Sequence, residues 1–159
     1  MSKKKAETIE SYVQVYPNDA NPSGNMFGGR IMEHMDAIAG ICSKRYATNA
    51  HHCVTASVET VQFNLPVHIG DILKFVSQVV YTGHSSMVIR VIVQRYNRET
   101  YVDETCTSAH LVFIALDADN KPVAVPELEL VSDSDKKAWQ MGAKVREQSL
   151  KIKAMNQQT

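Results

Sequence analysis

Cysteine is scarce in this sequence. Cys42, Cys53 and Cys106 are an odd number without paired spacing, which excludes a disulfide framework and a cysteine-rich metal site. A surplus of either charge is missing too, since 17 Lys plus Arg stand against 17 Asp plus Glu. A chain with no net charge has no whole-molecule footprint for a nucleic-acid duplex or an anionic membrane, so neither is expected as a partner. No apolar run approaches the ~20 residues that cross a bilayer. The charged start, Met1 to Glu7, has no apolar stretch behind it and does not read as a leader, so a reducing cytoplasm is the expected location.

Chemical signatures are missing as well. Gly83-His84-Ser85-Ser86-Met87 lacks the second glycine of a serine-hydrolase elbow. Gly24 to Gly29 is not followed by the Lys-Ser/Thr of a phosphate loop, and no dinucleotide fingerprint follows a strand. His51-His52-Cys53 are adjacent rather than spaced to converge on an ion, so neither a metal nor a cofactor is expected. Cys42, Cys53 and Cys106 read as structural thiols, and His34 and His110 as interior or interface histidines.

What is present fits one domain, because 159 residues with 44% hydrophobic content make one core and are too few for two of ordinary size. Residues 1–7 read as a flexible N-terminus, 8–130 as the domain, and 131–159 as a C-terminal helix with a basic tail. Tyr12, Val13 and Val15 mark a short strand over Glu10 to Tyr16, and the turn formers from Pro17 to Asn25 follow it. From Gly28 to Ala47, Ile31, Met35, Ile38 and Cys42 recur at helical spacing with apolar neighbours, which predicts a helix buried nearly all round.

Four strands are then expected: Val54 to Leu65, Ile72 to Thr82, Met87 to Tyr96 and Tyr101 to Leu116. In the first of them Val54, Ala56 and Val58 share one parity, while Val61, Phe63 and Leu65 have the other, so a bulge near Glu59-Thr60 is predicted. Read as successive hairpins, the strands make an antiparallel sheet curled around the helix. Ser132 to Asp135 supplies N-cap chemistry for a last helix to Lys153. Such a sheet leaves open edges, so pairing of subunits is expected.

Asp36 interrupts the apolar stretch Ile31 to Ile41. A carboxylate there is unfavourable unless it is paired or used, and Gly29 and Gly40 leave space seven residues before and four after it. Two readings compete: a catalytic carboxylate, or one that caps a loop or pairs with Lys or Arg. The loop Asn21-Pro22-Ser23-Gly24-Asn25-Met26-Phe27 runs straight into the helix start, where free amides of Gly28 and Gly29 suit an oxygen that becomes negative during attack.

These stretches carry a resemblance. Pro17-x-Asp19-Ala20-Asn21, Gly24-Asn25-x-x-Gly28-Gly29, Met35-Asp36, Val54-Thr55-Ala56-Ser57-Val58, Phe63-x-x-Pro66, Gly70-Asp71 and Gly83-x-Ser85-Ser86-Met87 together resemble the hotdog-fold acyl-CoA thioesterases. Both the YciA-like single-domain type and the tandem-domain cytosolic acyl-CoA hydrolases are similar. The match runs in order from Pro17 to Glu127.

The resemblance implies an α+β hotdog fold, an antiparallel sheet wrapped around a long central helix with an extra C-terminal helix. It implies a hydrolase of fatty acid metabolism that splits acyl-CoA to free fatty acid and coenzyme A, with CoA as part of substrate and product rather than a cofactor. It implies homo-oligomers, a hexamer built as a trimer of hotdog dimers. Asp36 would be general base or nucleophile, with Asn21 acting from the partner subunit, Thr55 steadying water or Asp36, and Gly28 and Gly29 forming the oxyanion site. Asn25, Ser57, Gly83, His84, Ser85, Ser86, Met87 and Arg90 would line the CoA path, with Arg95, Lys136 and Lys137 as further partners for its phosphates. A dehydratase on the same fold would pair Asp with His, and Asn21 to Gly29 holds no His. An acyl-CoA sensor would bind without turnover.

Overall fold

The computed structural model describes residues 2–158. In chain order the elements are β1 (Lys3–Lys4), β2 (Thr8–Gln14), a single 3-10 turn (Pro17–Asp19), α1 (Gly28–Tyr46), β3 (His52–Phe63), β4 (Ile72–Thr82), β5 (Ser86–Asn97), β6 (Val102–Leu116), β7 (Glu127–Leu128) and α2 (Asp133–Asn156). Five strands form one antiparallel sheet in the order β2-β4-β5-β6-β3. This is the hotdog arrangement, with α1 on the inner face and α2 on the outer.

The hairpins β4-β5-β6 follow the expected meander, but β3 does not pair with β4. It lies on the far edge against β6, Thr55 opposite Phe113 and Val58 opposite Leu111. The link 64–71 carries Pro66, is too long for a tight hairpin turn, and runs across the end of the sheet instead. There Asn64 N donates to Cys106 O at 2.8 Å and Arg95 Nη1 to Pro66 O at 2.7 Å. The bulge predicted near Glu59-Thr60 is present, with Thr60 at φ 52°, and a second register shift falls between Thr55 and Ser57. That second bulge puts Val54 and Val58 on opposite faces, where alternation alone had them together.

Helix α1 buries Ile31, Met35, Ile38, Ala39, Cys42, Ser43 and Tyr46 against the sheet's inner face. Each such apolar side chain contributes about 1.5–3 kcal/mol when fully withdrawn from water. The expectation of a helix buried nearly all round is not met within one chain. Glu33, Asp36, Ala37, Ile41 and Lys44 form an exposed arc, because the sheet stops at β3 and reaches only one side of the helix. Ile41 is 53% exposed, and Val58 at 40% and Phe63 at 52% on β3 flank the same arc.

Helix α2 begins at a capping box in which Ser132 Oγ accepts from Asp135 N at 3.1 Å and Asp135 Oδ2 accepts from Ser132 N at 2.9 Å. These bonds hold the Asp135 carboxyl below its usual range, chiefly through the Ser132 amide. Its buried stripe is Gly142, Val145 and Ser149, with Val145 packed on Val80, Val88 and Val112. At the other terminus, Lys3 and Lys4, inside the stretch read as flexible, pair in parallel with Glu127 and Leu128. Lys4 Nζ also donates to Arg45 O and Tyr46 O, each at 2.8 Å, where the carbonyls ending α1 favour a cation. Among the described residues no helix is long and apolar enough to cross a membrane.

Candidate active site

Asp36 sits midway along α1 on the exposed arc, and its partner is neither lysine nor arginine. Thr55 Oγ1 on β3 donates to Asp36 Oδ1 at 2.6 Å, a length typical of a hydroxyl on a carboxylate. The bond fixes the carboxylate and leaves Oδ2 available. A methyl group built onto Gly29 meets nothing within 4 Å, and one on Gly40 meets only the Phe113 ring at 3.9 Å. The chain's own packing therefore does not demand glycine at either position. Gly28 differs, since a side chain there would press on the Phe63 ring at 3.1 Å.

The loop before α1 is held by its own hydrogen bonds. Asn21 Oδ1 accepts from Ser23 N at 3.0 Å and Asn25 N at 3.2 Å, and Asn21 N donates to Asn25 O at 2.7 Å. Gly24, at φ 80°, makes the turn between them. With Oδ1 engaged, the Asn21 amide faces any further partner as a donor. Met26 N donates to Val67 O at 2.7 Å, and Asn25 bridges to His68. Phe27, the N-cap of α1, supplies no side-chain acceptor, so first-turn amides such as those of Gly28 and Gly29 stay uncapped.

Sequence reasoning gave Asp19 no role in the site, yet it anchors this loop. It is 8% exposed. Its Oδ2 accepts from Tyr16 N at 2.9 Å, its Oδ1 lies 3.3 Å from Arg30 Nη2, and its carbonyl accepts from Phe27 N at 3.0 Å. Glu33 and then Asp19 hold the Arg30 guanidinium still more firmly protonated. The legible signal was an acid in the turn just before a glycine-led helix with an arginine in its first turn.

Along one helix, Asp36 lies eight residues beyond Gly28, about 12 Å at 1.5 Å per residue. One chain thus brings Asp36 and Thr55 together but keeps them away from Gly28, Gly29, Asn21 and Asn25. The residues expected along CoA divide as well. Met87 is 0% exposed and Ser86 5%, so both side chains belong to the packed interior. Gly83 N donates to Ser86 O and Ala115 N to Ser85 O, each at 2.9 Å, leaving exposed His84 and half-buried Ser85 as the reachable part of that turn. Met87 pairs with Phe113, which pairs with Thr55, so the turn is level with Asp36 two strands away.

Ser57 faces outward, 3.2 Å from Ser149 Oγ, and Arg90 lies on the sheet face opposite α1 beside His110. Burial, with Arg90 adding to it, lowers the His110 pKa. Arg95 is engaged by Glu104 at 3.2 Å and Asp71 at 3.9 Å, and Lys136 by Asp133 at 3.2 Å, while Lys137 is exposed. The thiols of Cys42, Cys53 and Cys106 are pushed up by burial, as structural cysteines should be. Among the described residues no group of three or more His, Cys, Asp or Glu converges to hold a metal.

The chain thus holds a hydroxyl-bonded carboxylate on the central helix of a hotdog sheet and uncapped amides at the start of that helix. The family model described as "Thioesterase superfamily" matches residues 23–102, and the chain belongs to that family. The uncharacterized acyl-CoA thioester hydrolase YkhA of Bacillus subtilis is 36% identical over 115 residues, which cover 72% of this chain and 66% of that protein. Acyl-CoA hydrolase from Staphylococcus aureus, solved with butyryl coenzyme A, coenzyme A and coenzyme A disulfide, is 32% identical. It superposes with a TM-score of 0.88 over 95% of this chain and 91% of that one. An apo-hexameric acyl-CoA thioesterase is 29% identical, with a TM-score of 0.88 over 97% of this chain and 99% of the other.

Proposed function

We propose that this thioester hydrolase acts on fatty acyl-CoA in the cytoplasm, at sites shared between two chains of a homo-oligomer. The observation that carries the reading is Asp36 bonded to Thr55 at 2.6 Å, open to solvent on an arc where Gly29 and Gly40 leave unused space. A carboxylate about 12 Å along the helix from the amides of Gly28 and Gly29 cannot address the same carbonyl carbon as they do. A second copy whose loop faces Asp36 supplies them. The open edge of β3 and the exposed Ile41, Val58 and Phe63 give that copy a surface to cover. The hexameric relative supports a six-chain assembly, which three such dimers would make.

In this scheme Asp36 takes the proton of a water whose oxygen attacks the thioester carbon, or attacks that carbon itself to form an anhydride that water then opens. Gly28 and Gly29 amides of the second copy stabilise the oxyanion, and the Asn21 amide donates to water or carbonyl. The carbon–sulfur bond breaks, and CoA leaves as a thiolate that needs little acid assistance. His84 and Ser85 lie along the pantetheine, while Lys137 and Arg90 are candidates for the phosphates.

Mixing chains carrying Asn21→Ala with chains carrying Asp36→Ala tests the shared site. Each parent is expected to lose orders of magnitude in kcat while its assembly persists. In a random mixture of two-fold dimers half are heterodimers with one intact site, so about a quarter of wild-type activity should return. A mixture as inactive as its parents would place the whole site in one chain and overturn the reading.

A further inference from the structure

The bulge in β3 decides which way Phe63 points. From Glu59, opposite His110, to Gln62, opposite Ser108, three residue steps of β3 span two of β6, and Thr60 sits between at φ 52°. A β-branched residue in the left-handed region is strained and persists only where its surroundings hold it. Val58 faces α1 opposite Leu111, so strict alternation would turn position 63 to the outer face. The bulge brings Phe63 to the inner face instead, opposite the fully buried Thr107.

The ring does not finish in the core. Phe63 is 52% exposed, and its tip lies 3.1 Å and 3.2 Å from the place a side chain on Gly28 would take. Glycine at the first position of α1 thus lets an aromatic ring lie directly beside the uncapped first-turn amides. A lone exposed apolar side chain is ordinary, but this one is turned inward by a strained bulge and seated on a glycine that makes room for it. It is also remote from its own chain's carboxylate. Thr55, which holds Asp36, pairs with Phe113, whereas Phe63 pairs with Thr107, six residues along β6 and about 20 Å of strand away.

We infer that Phe63 is a specificity-determining residue, the wall along which the acyl chain lies when the Gly28 and Gly29 amides beside it hold a thioester carbonyl opposite a second copy's Asp36. The inference rests on the two-chain reading above and deepens it by naming the part of the substrate that the ring selects. A carbonyl oxygen on those amides sets the two arms of the thioester near the ring. The pantetheine arm is strung with polar amides that lose by leaving water, while the acyl arm is hydrocarbon, so the ring takes the acyl arm. Each methylene withdrawn from water against it is worth up to about four-fold in kcat/KM, and two exceed ten-fold. Acetyl-CoA, with a single methyl beyond its carbonyl, gains least.

Steady-state kcat/KM along a ladder of straight-chain acyl-CoA from acetyl to dodecanoyl tests this in Phe63→Ala, Phe63→Leu and Phe63→Gln chains. Phe63→Ala should lower the ratio of longer members to the shortest one hydrolysed at least ten-fold. Phe63→Leu keeps apolar bulk and should keep most of that ratio. Phe63→Gln is polar, suits a half-exposed position, and should lose the ratio as alanine does, so the test stands if the alanine variant folds poorly. A uniform loss along the ladder would mean that the ring only supports Gly28, and it overturns the inference, as does an unchanged or raised ratio. Mixed oligomers of Phe63→Ala and Asp36→Ala chains test the subunit arrangement. Half of randomly mixed dimers hold one site with both residues intact, so about a quarter of the wild-type rate on the longer members should return. A mixture with only about half the Phe63→Ala rate puts ring and carboxylate in one chain and overturns the inference. Recovery in the Asn21 and Asp36 mixture with none here removes Phe63 alone, whereas recovery in neither removes the shared site as well.

Discussion

Glycine in the middle of a helix costs about 1 kcal/mol relative to alanine, and Gly40 stands four residues after Asp36 on α1. Its own chain offers no reason for it, because an added methyl would meet only Phe113 at an ordinary 3.9 Å. Gly40→Ala is therefore expected to leave the folded chain as stable as before or up to ~1 kcal/mol more stable in urea unfolding. If the space belongs to substrate or to a second copy, the same variant loses kcat/KM at least ten-fold. A variant that is stabilised and fully active would release Gly40 from the site. Asp36 was legible as a carboxylate among apolar residues, but its partner Thr55 was named only by family likeness. Their contact depends on β3 reaching the edge beside α1, which no local pattern encodes.

Among the elements, α2 is tied to the sheet by close approach. A methyl at Gly142 would lie 2.7 Å from Tyr81 Cβ and 3.1 Å from Val80 Cγ2, and the first of these atoms sits too near the backbone to move cheaply. Gly142→Ala should destabilise the protein by about 1–3 kcal/mol, the usual penalty for overpacking, even though alanine is the better helix former. Thermal unfolding that shows no loss would mean α2 can lift from β4 freely. The strand Ile72–Thr82 and the cap at Ser132 fall where local chemistry puts them. The place of β3 does not. Hairpin logic joins neighbours in sequence, whereas the link 64–71 carries the chain across the sheet end, and the bulge at Ala56 reverses a parity that simple alternation would preserve.

For the whole molecule, the proposed sharing of the site between chains would couple catalysis to association. Specific activity at saturating substrate should stay constant while dimers persist and fall once dilution passes their dissociation constant, recovering on concentration. Activity proportional to chain at every dilution, with monomers present by sedimentation, would separate the two. The sequence by itself determined the helix and its carboxylate, the strand-rich body and the capped last helix, because periodicity, turn chemistry and capping act over a few residues, and its motifs carried the resemblance to a thioester-hydrolysing family. Only the tertiary structure decided that Asp36 lies on an exposed arc beside an open strand, that Thr55 holds it, and that Met87 is interior. Those facts follow from which distant strands pair and where the sheet ends, and nonlocal pairing leaves no period in the sequence to read.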